Sequence, residues 1–140
     1  MTQLAHTTLL VADYDEAIVF FTQKLLFNLA EDTILSSQKR WVVVTPPQGM
    51  VGANILLAKA TSPSQKQAMG QQTGGRVAFF LYTPVFSSYY AHLVRVGVQI
   101  VRKPVKESYG QVAVFADLYG NLWDLIEPAN LNESSSPPSL

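Results

Sequence analysis

Two kinds of apolar spacing alternate along the chain, and each predicts an element. Ala5-His6-Thr7-Thr8-Leu9-Leu10-Val11 is a compact apolar block that reads as a short buried strand. Asp13 can cap a helix after it, with Asp15 and Glu16 in the first turn, where the helix dipole favours anions. Ile18, Phe21 and Leu25 follow at helical spacing, and Ala17 and Phe20 widen the stripe. Phe27 to Leu29 opens the next extended segment. Arg40 to Thr45 and Ala53 to Lys59 predict two more strands, separated by a turn at Pro46-Pro47-Gln48-Gly49.

The same order returns half a chain later. Arg76-Val77-Ala78-Phe79-Phe80-Leu81 predicts a strand. Thr83 is a good N-cap residue, and Pro84 suits the first helical position, where its missing N–H costs nothing. Phe86, Tyr89, Tyr90 and Leu93 form an apolar stripe, and Gly97 stands where a helix end wants a left-handed residue. Val98 to Val101 predicts a strand stopped by Pro104. Gln111 to Ala116 and Leu122 to Glu127 predict the last two, joined by a turn at Asp117-Leu118-Tyr119-Gly120.

Both halves therefore read β-α-β-β-β, an internal repeat that defines an α+β fold. The expected organisation is one domain over residues 1–128, with modules at about 4–60 and 75–128. The joining segment 61–74 is rich in Ser, Gln and Gly, with a short helical turn around Gln65 to Met69. Residues 129–140, including Glu133-Ser134-Ser135-Ser136-Pro137-Pro138-Ser139, read as a solvated tail. One helix covers only one face of a four-stranded sheet. The other face needs a partner sheet or a ligand. Two modules with curved mixed sheets, paired about a pseudo-two-fold axis, would enclose a cleft, whether the pair comes from one chain or two.

Composition sharpens this. Charged residues make up only 14% of the 140, against about 25% in typical domains. Hydrophobic residues make up 48%, which excludes a disordered chain. Sparse charge points to surface that is not wet, first a subunit interface and then an apolar pocket. Ten basic and ten acidic residues balance, so the basic excess of nucleic-acid binders and of polybasic membrane anchors is missing. No apolar run approaches the roughly 20 residues of a membrane helix, and the N-terminus has no basic region followed by a long apolar one. A soluble cytoplasmic protein is expected. With no cysteine, disulfides, thiol catalysis and thiolate metal sites are excluded. Gly70-Gln71-Gln72-Thr73-Gly74-Gly75 lacks the Gly-Lys-Ser/Thr ending of a phosphate loop.

The duplicated order, with Ala5-His6 opening the first strand, resembles the vicinal oxygen chelate superfamily of glyoxalases, bleomycin-resistance proteins and extradiol dioxygenases. Val11-Ala12-Asp13-Tyr14-Asp15-Glu16-Ala17-Ile18 looks like that family's first strand-to-helix turn. Lys24-Leu25-Leu26-Phe27 looks like its Lys-Leu-Gly-Phe helix end. The segment from Tyr109 to Leu125 is similar to its Phe-x-Asp-Pro-x-Gly-Asn ending, with Leu118 in the proline position. The likeness covers roughly residues 4–128. In metal-dependent members, four ligands come from four strands. The resemblance places those positions at His6, Leu56, Arg76 and Asp124. Leu56 has no donor atom, and Arg76 has no lone pair and is always charged. Two donors fall short of the three or four usual for tight sites. The resemblance thus implies a degenerate centre with no tightly bound cofactor. A divalent metal at His6 and Asp124 would need substrate or water to complete its coordination.

His6 on its own fits a hydrogen-bonded strand histidine. Asp124 lies in an apolar strand, and a buried carboxylate needs a partner. Arg76 is the candidate, either as a structural ion pair or as a planar donor fork for a ligand. Alternation puts Thr8 and Leu10 on the face of His6, Ala78 and Phe80 on that of Arg76, and Leu122 and Ile126 on that of Asp124. Tyr109, before Gly110, is a candidate pocket lip. Trp41 and Trp123 fit strand cores, unless register turns one into a cleft. Mostly apolar lining with a few polar groups suits a small-molecule pocket. The preferred expectation is a homodimer that binds a small neutral or weakly anionic organic molecule through Arg76, Thr8, Leu56, Phe80, Tyr109 and Leu122. Zero net charge argues against a cationic ligand such as bleomycin. The alternatives are a metal-dependent lyase or dioxygenase, and metal-independent acid–base catalysis, each using His6 and Asp124.

Overall fold

The computed structural model describes residues 1–47 and 52–129. Gln48 and Gly49 of the expected turn at Pro46-Pro47-Gln48-Gly49, and the expected tail beyond residue 129, lie outside the described residues. The chain forms two compact units, Met1–Gly74 and Gly75–Leu140. Each holds a four-stranded mixed sheet, giving the α+β class.

In the first unit β1 is His6–Val11, α1 Tyr14–Val19, β2 Asn28–Ile34, β3 Arg40–Thr45, β4 Asn54–Lys59 and α2 Pro63–Ala68. The strand order is β1-β4-β3-β2. β1 runs parallel to β4 and the other neighbours are antiparallel. Asp13 caps α1, its carboxylate accepting from the Glu16 amide at 2.8 Å. The helix then loosens into a π-helical turn over Phe20–Lys24, where the Leu25 amide donates to the Phe20 carbonyl. Cross-strand neighbours share a face. Leu9, Val11, Val42, Val44, Ile55 and Leu57 all lie on one face and are all buried. α1 packs against β3 and β4, and Ala17, Phe20, Phe21 and Leu25 are buried with them. The opposite face carries His6, Thr8, Leu10, Trp41, Val43, Leu56 and Ala58, of which only Val43 is fully buried.

In the second unit β5 is Val77–Tyr82, α3 Phe86–Arg95, β6 Gln99–Glu107, β7 Gly110–Ala116 and β8 Leu122–Pro128. The strand order β5-β8-β7-β6 repeats that of the first unit. Phe79, Trp123 and Phe115 stand side by side on three adjacent strands, with ring centroids 4.4 and 5.7 Å apart. Leu81, Leu125 and Ala113 form the next row, and α3 contributes Phe86, Tyr89 and Leu93 to the buried set.

Three expectations change. Thr83 does not cap α3, because the helix starts at Phe86 after Val85. The Thr83 hydroxyl accepts from the Val85 amide at 3.1 Å and closes a turn instead. Glu127, reaching from β8, accepts from the Phe86 amide at 3.1 Å, so a remote carboxylate satisfies the first-turn donor. Pro104 does not stop β6. It lies in an edge strand between Arg102 and Val105, where the pairing with β7 is irregular, so its missing N–H breaks no ladder bond. Third, a bulge between Val77 and Phe79 breaks the alternation in β5. Phe80 faces the same side as Asp124, its partner in register, but Ala78 and Arg76 cannot be counted onto that side.

Candidate functional site

The face of the first sheet opposite α1 carries a cleft. It has a volume of about 590 Å3. Thr8 and Leu10 of β1, Trp41 of β3, and Leu56 and Ala58 of β4 form its floor. Its rim comes from the β2–β3 hairpin, the end of β4 and α2, through Leu35, Gln38, Lys39, Arg40, Lys59, Thr61 and Gln65. No Asp or Glu lines it. A smaller cleft of about 350 Å3 adjoins it and shares Tyr14, Gln38, Lys39, Arg40 and Lys59.

Local structure builds this wall from short-range bonds. The hairpin tip closes through the Leu35 and Ser36 amides, both donating to the Lys39 carbonyl at 2.9 and 3.1 Å. Arg40 then clamps the hairpin to the helix. Its guanidinium donates to both Asp32 oxygens, at 3.1 and 2.7 Å, and to Asp15 at 2.8 Å. It also lies over the Tyr14 ring, 5.3 Å from the centroid. Arg40 is therefore committed to the wall. Lys39 and Lys59 have no ion pair among the described residues.

His6 lies on the same sheet face as the cleft floor but does not line the cleft. Its ring meets Trp41 edge-on at 5.8 Å, and its Nδ1 is buried with no hydrogen-bond partner. Leu56, in the expected ligand position, is a hydrocarbon between Thr8 and Val43 in register. Among the described residues no three His, Cys, Asp or Glu side chains gather where a metal could be held. The donor set does not fit a divalent centre, since neither Leu56 nor Arg76 can give an electron pair.

The remaining expected residues belong to the second unit. Arg76 is exposed and precedes β5. Asp124 is only 6% exposed, flanked in register by Phe80 and Val114. Burial raises its carboxyl above the usual range, and the positive charge of Arg102 on β6 opposes that shift. Leu122 stands opposite Val77 and Ala116 on the face of Asp124. Phe80 is half-exposed. Tyr109 sits half-buried in the β6–β7 turn, its carbonyl accepting from the Ala129 amide at 2.9 Å. Gly110 is required there: its φ is +144°, and a Cβ would collide with the Glu127 carbonyl.

Sequence reasoning missed Lys39, Arg40, Lys59 and Gln38. The basic doublet Lys39-Arg40 directly before Trp41 was the available signal. It becomes meaningful only once register places Trp41 on the uncovered face.

Comparison with known proteins adds a family to this geometry. An uncharacterised protein of Shewanella frigidimarina (strain NCIMB 400) is 51% identical over 125 residues, covering 89% of this chain and 92% of its own. The crystal structure of UcmS2 superposes with a TM-score of 0.78 at 28% identity, covering 91% of this chain and 98% of that one. That of TnmS3, described as an antibiotic-binding protein from Streptomyces sp. CB03234, gives 0.73 at 22% identity over 92% and 98%, a likeness of fold. The Glyoxalase/Bleomycin resistance protein/Dioxygenase superfamily model matches residues 3–125, and the chain belongs to that superfamily.

Proposed function

We propose that this protein binds a small organic molecule, neutral or weakly anionic, in the cleft on the uncovered face of its first sheet. The observation that carries this reading is the cleft's chemistry. An apolar floor with one indole is bordered by Lys39, Lys59 and the ion-paired Arg40, with no carboxylate in the lining. Such a lining recognises an apolar body with a few polar groups and disfavours a cation. Binding needs no metal, which agrees with the donor set. The antibiotic-binding description of TnmS3 supports the same class of ligand.

The reading includes a homodimer working in the cytoplasm. Leu29 and Ile34 on edge strand β2, and Val101 and Val105 on edge strand β6, are exposed apolar residues that a second copy would cover. Among the described residues no helix is long and apolar enough to cross a membrane.

A thermal-shift screen of neutral, anionic and cationic organic compounds tests the proposal. Neutral or anionic compounds are expected to raise Tm, and Trp41→Ala to abolish the rise. A screen in which only cations act, or in which Trp41→Ala changes nothing, would overturn it.

A further inference from the structure

The two adjoining clefts differ in chemistry on either side of a shared wall. The larger has the apolar floor of Leu10, Trp41, Leu56 and Ala58. The smaller is more polar, with Asp13, Ser36 and Ser37 beside Ile34 and the shared Tyr14, Gln38, Lys39 and Lys59. Charge at the junction is not evenly available. Arg40 is ion-paired with Asp32 and Asp15, and one oxygen of the Asp13 carboxylate accepts from the Glu16 amide at the α1 N-terminus. Lys39 and Lys59 border both clefts and have no ion pair among the described residues.

We propose that Lys39 and Lys59 form an anion-recognising subsite at this junction, so that the ligand is an amphiphilic organic acid. Its apolar ring system lies on the floor of the larger cleft. Its carboxylate, sulfonate or phosphate lies at the mouth of the smaller one, between the two ammonium groups. The inference rests on the binding reading above and narrows it from neutral or weakly anionic compounds to those carrying a formal negative charge. A half-exposed lysine is a hydrated point charge. The pair therefore contributes mainly charge selectivity that salt screens, rather than geometric discrimination. Arg40 acts as a positioning residue, because it holds the hairpin that carries Lys39.

Two fluorescent probes separate the subsite from the cleft. Anilinonaphthalene sulfonate and N-phenyl naphthylamine share an apolar body, and only the first is charged. Both are titrated against the full chain, the Lys39→Gln, Lys59→Gln double variant and Trp41→Ala. The wild-type protein is expected to bind the sulfonate about tenfold more tightly than the neutral amine. That preference should shrink at high salt and disappear in the double variant, with the loss falling on the sulfonate while the neutral probe still binds. Equal wild-type affinities, or a preference that survives the double substitution, would overturn the anion subsite and leave the cleft standing. If neither probe binds, or if Trp41→Ala leaves both affinities unchanged, the cleft itself is wrong and the subsite falls with it.

Discussion

Gln72 supplies Leu10 with a hydrogen-bond partner that edge strand β1 otherwise lacks. Its Oε1 accepts from the Leu10 amide at 2.7 Å, and its Nε2 donates to the Thr8 carbonyl at 2.9 Å. One side-chain amide thus imitates a neighbouring strand across two ladder positions, next to two residues of the cleft floor. Free edges invite wrong pairing, and this one is covered by the segment that follows α2. Gln72→Ala should cost about 1–3 kcal/mol, at a net 0.5–1.5 for each of the two hydrogen bonds. Urea denaturation measures the loss, and hydrogen exchange at the Leu10 amide should accelerate.

Leu26 occupies the left-handed region with φ 61°, the only non-glycine among the described residues with positive φ. It follows the π-helical turn, and the Phe27 amide after it donates to the Phe21 carbonyl at 2.8 Å. Its side chain is 43% exposed, so little packing opposes a change. Leu26→Gly should stabilise the fold by about 1 kcal/mol, the usual cost of a side chain in that conformation. A higher urea midpoint with an unchanged slope is the expected result.

Asp117 organises the turn between β7 and β8 rather than facing a ligand. Its carboxylate accepts from the Tyr119 and Asn121 amides, the Asn121 side chain and the Trp123 indole, at 3.0–3.2 Å. Asp117→Ala strands these buried donors and should cost about 3 kcal/mol or more. Asp117→Asn, which keeps one oxygen acceptor, should cost less. Thermal melts of the two variants give the order.

Asp124 should make stability fall with rising pH. Burial raises its carboxyl in the folded chain above the ordinary value it keeps when unfolded. The folded state then holds that proton more tightly. The contribution is fully present below the ordinary carboxylate range and is lost as pH rises through the raised value. Asp124→Asn should therefore raise Tm at neutral pH and bring little gain in strong acid. Paired melts across that window measure it, and a gain that grows toward acid would contradict the assignment.

The repeat was legible because period-two blocks and one helical stripe recur in the same order in both halves. Asp13 and Gly97 announced their caps through residue type alone. What sequence could not reveal depends on register. The bulge beside Ala78 leaves no mark in composition, yet it reverses which residues share the face of Asp124. The role of Glu127 at the start of α3 bridges 41 positions. The cleft depends on register too: Thr8 and Leu56 lie on its floor because strand pairing puts them on one face. Lys39 and Lys59 looked like ordinary surface charge until the hairpin and the end of β4 brought them to one rim. The family-like ending at Asp117 marked a turn whose carboxylate is taken up by Tyr119, Asn121 and Trp123, so it pointed to the fold and not to a ligand.

The two tryptophans test the central claim directly. Trp41 lines the cleft of the first unit, whereas Trp123 is buried between Phe79 and Phe115 in the second, its indole bound to Asp117. A proton–nitrogen correlation spectrum shows one indole signal for each, assigned through Trp41→Phe. On titration with anilinonaphthalene sulfonate, the Trp41 signal should shift progressively to saturation while that of Trp123 stays in place. Saturable binding that leaves the Trp41 signal unmoved would contradict the assignment of this cleft as the ligand site.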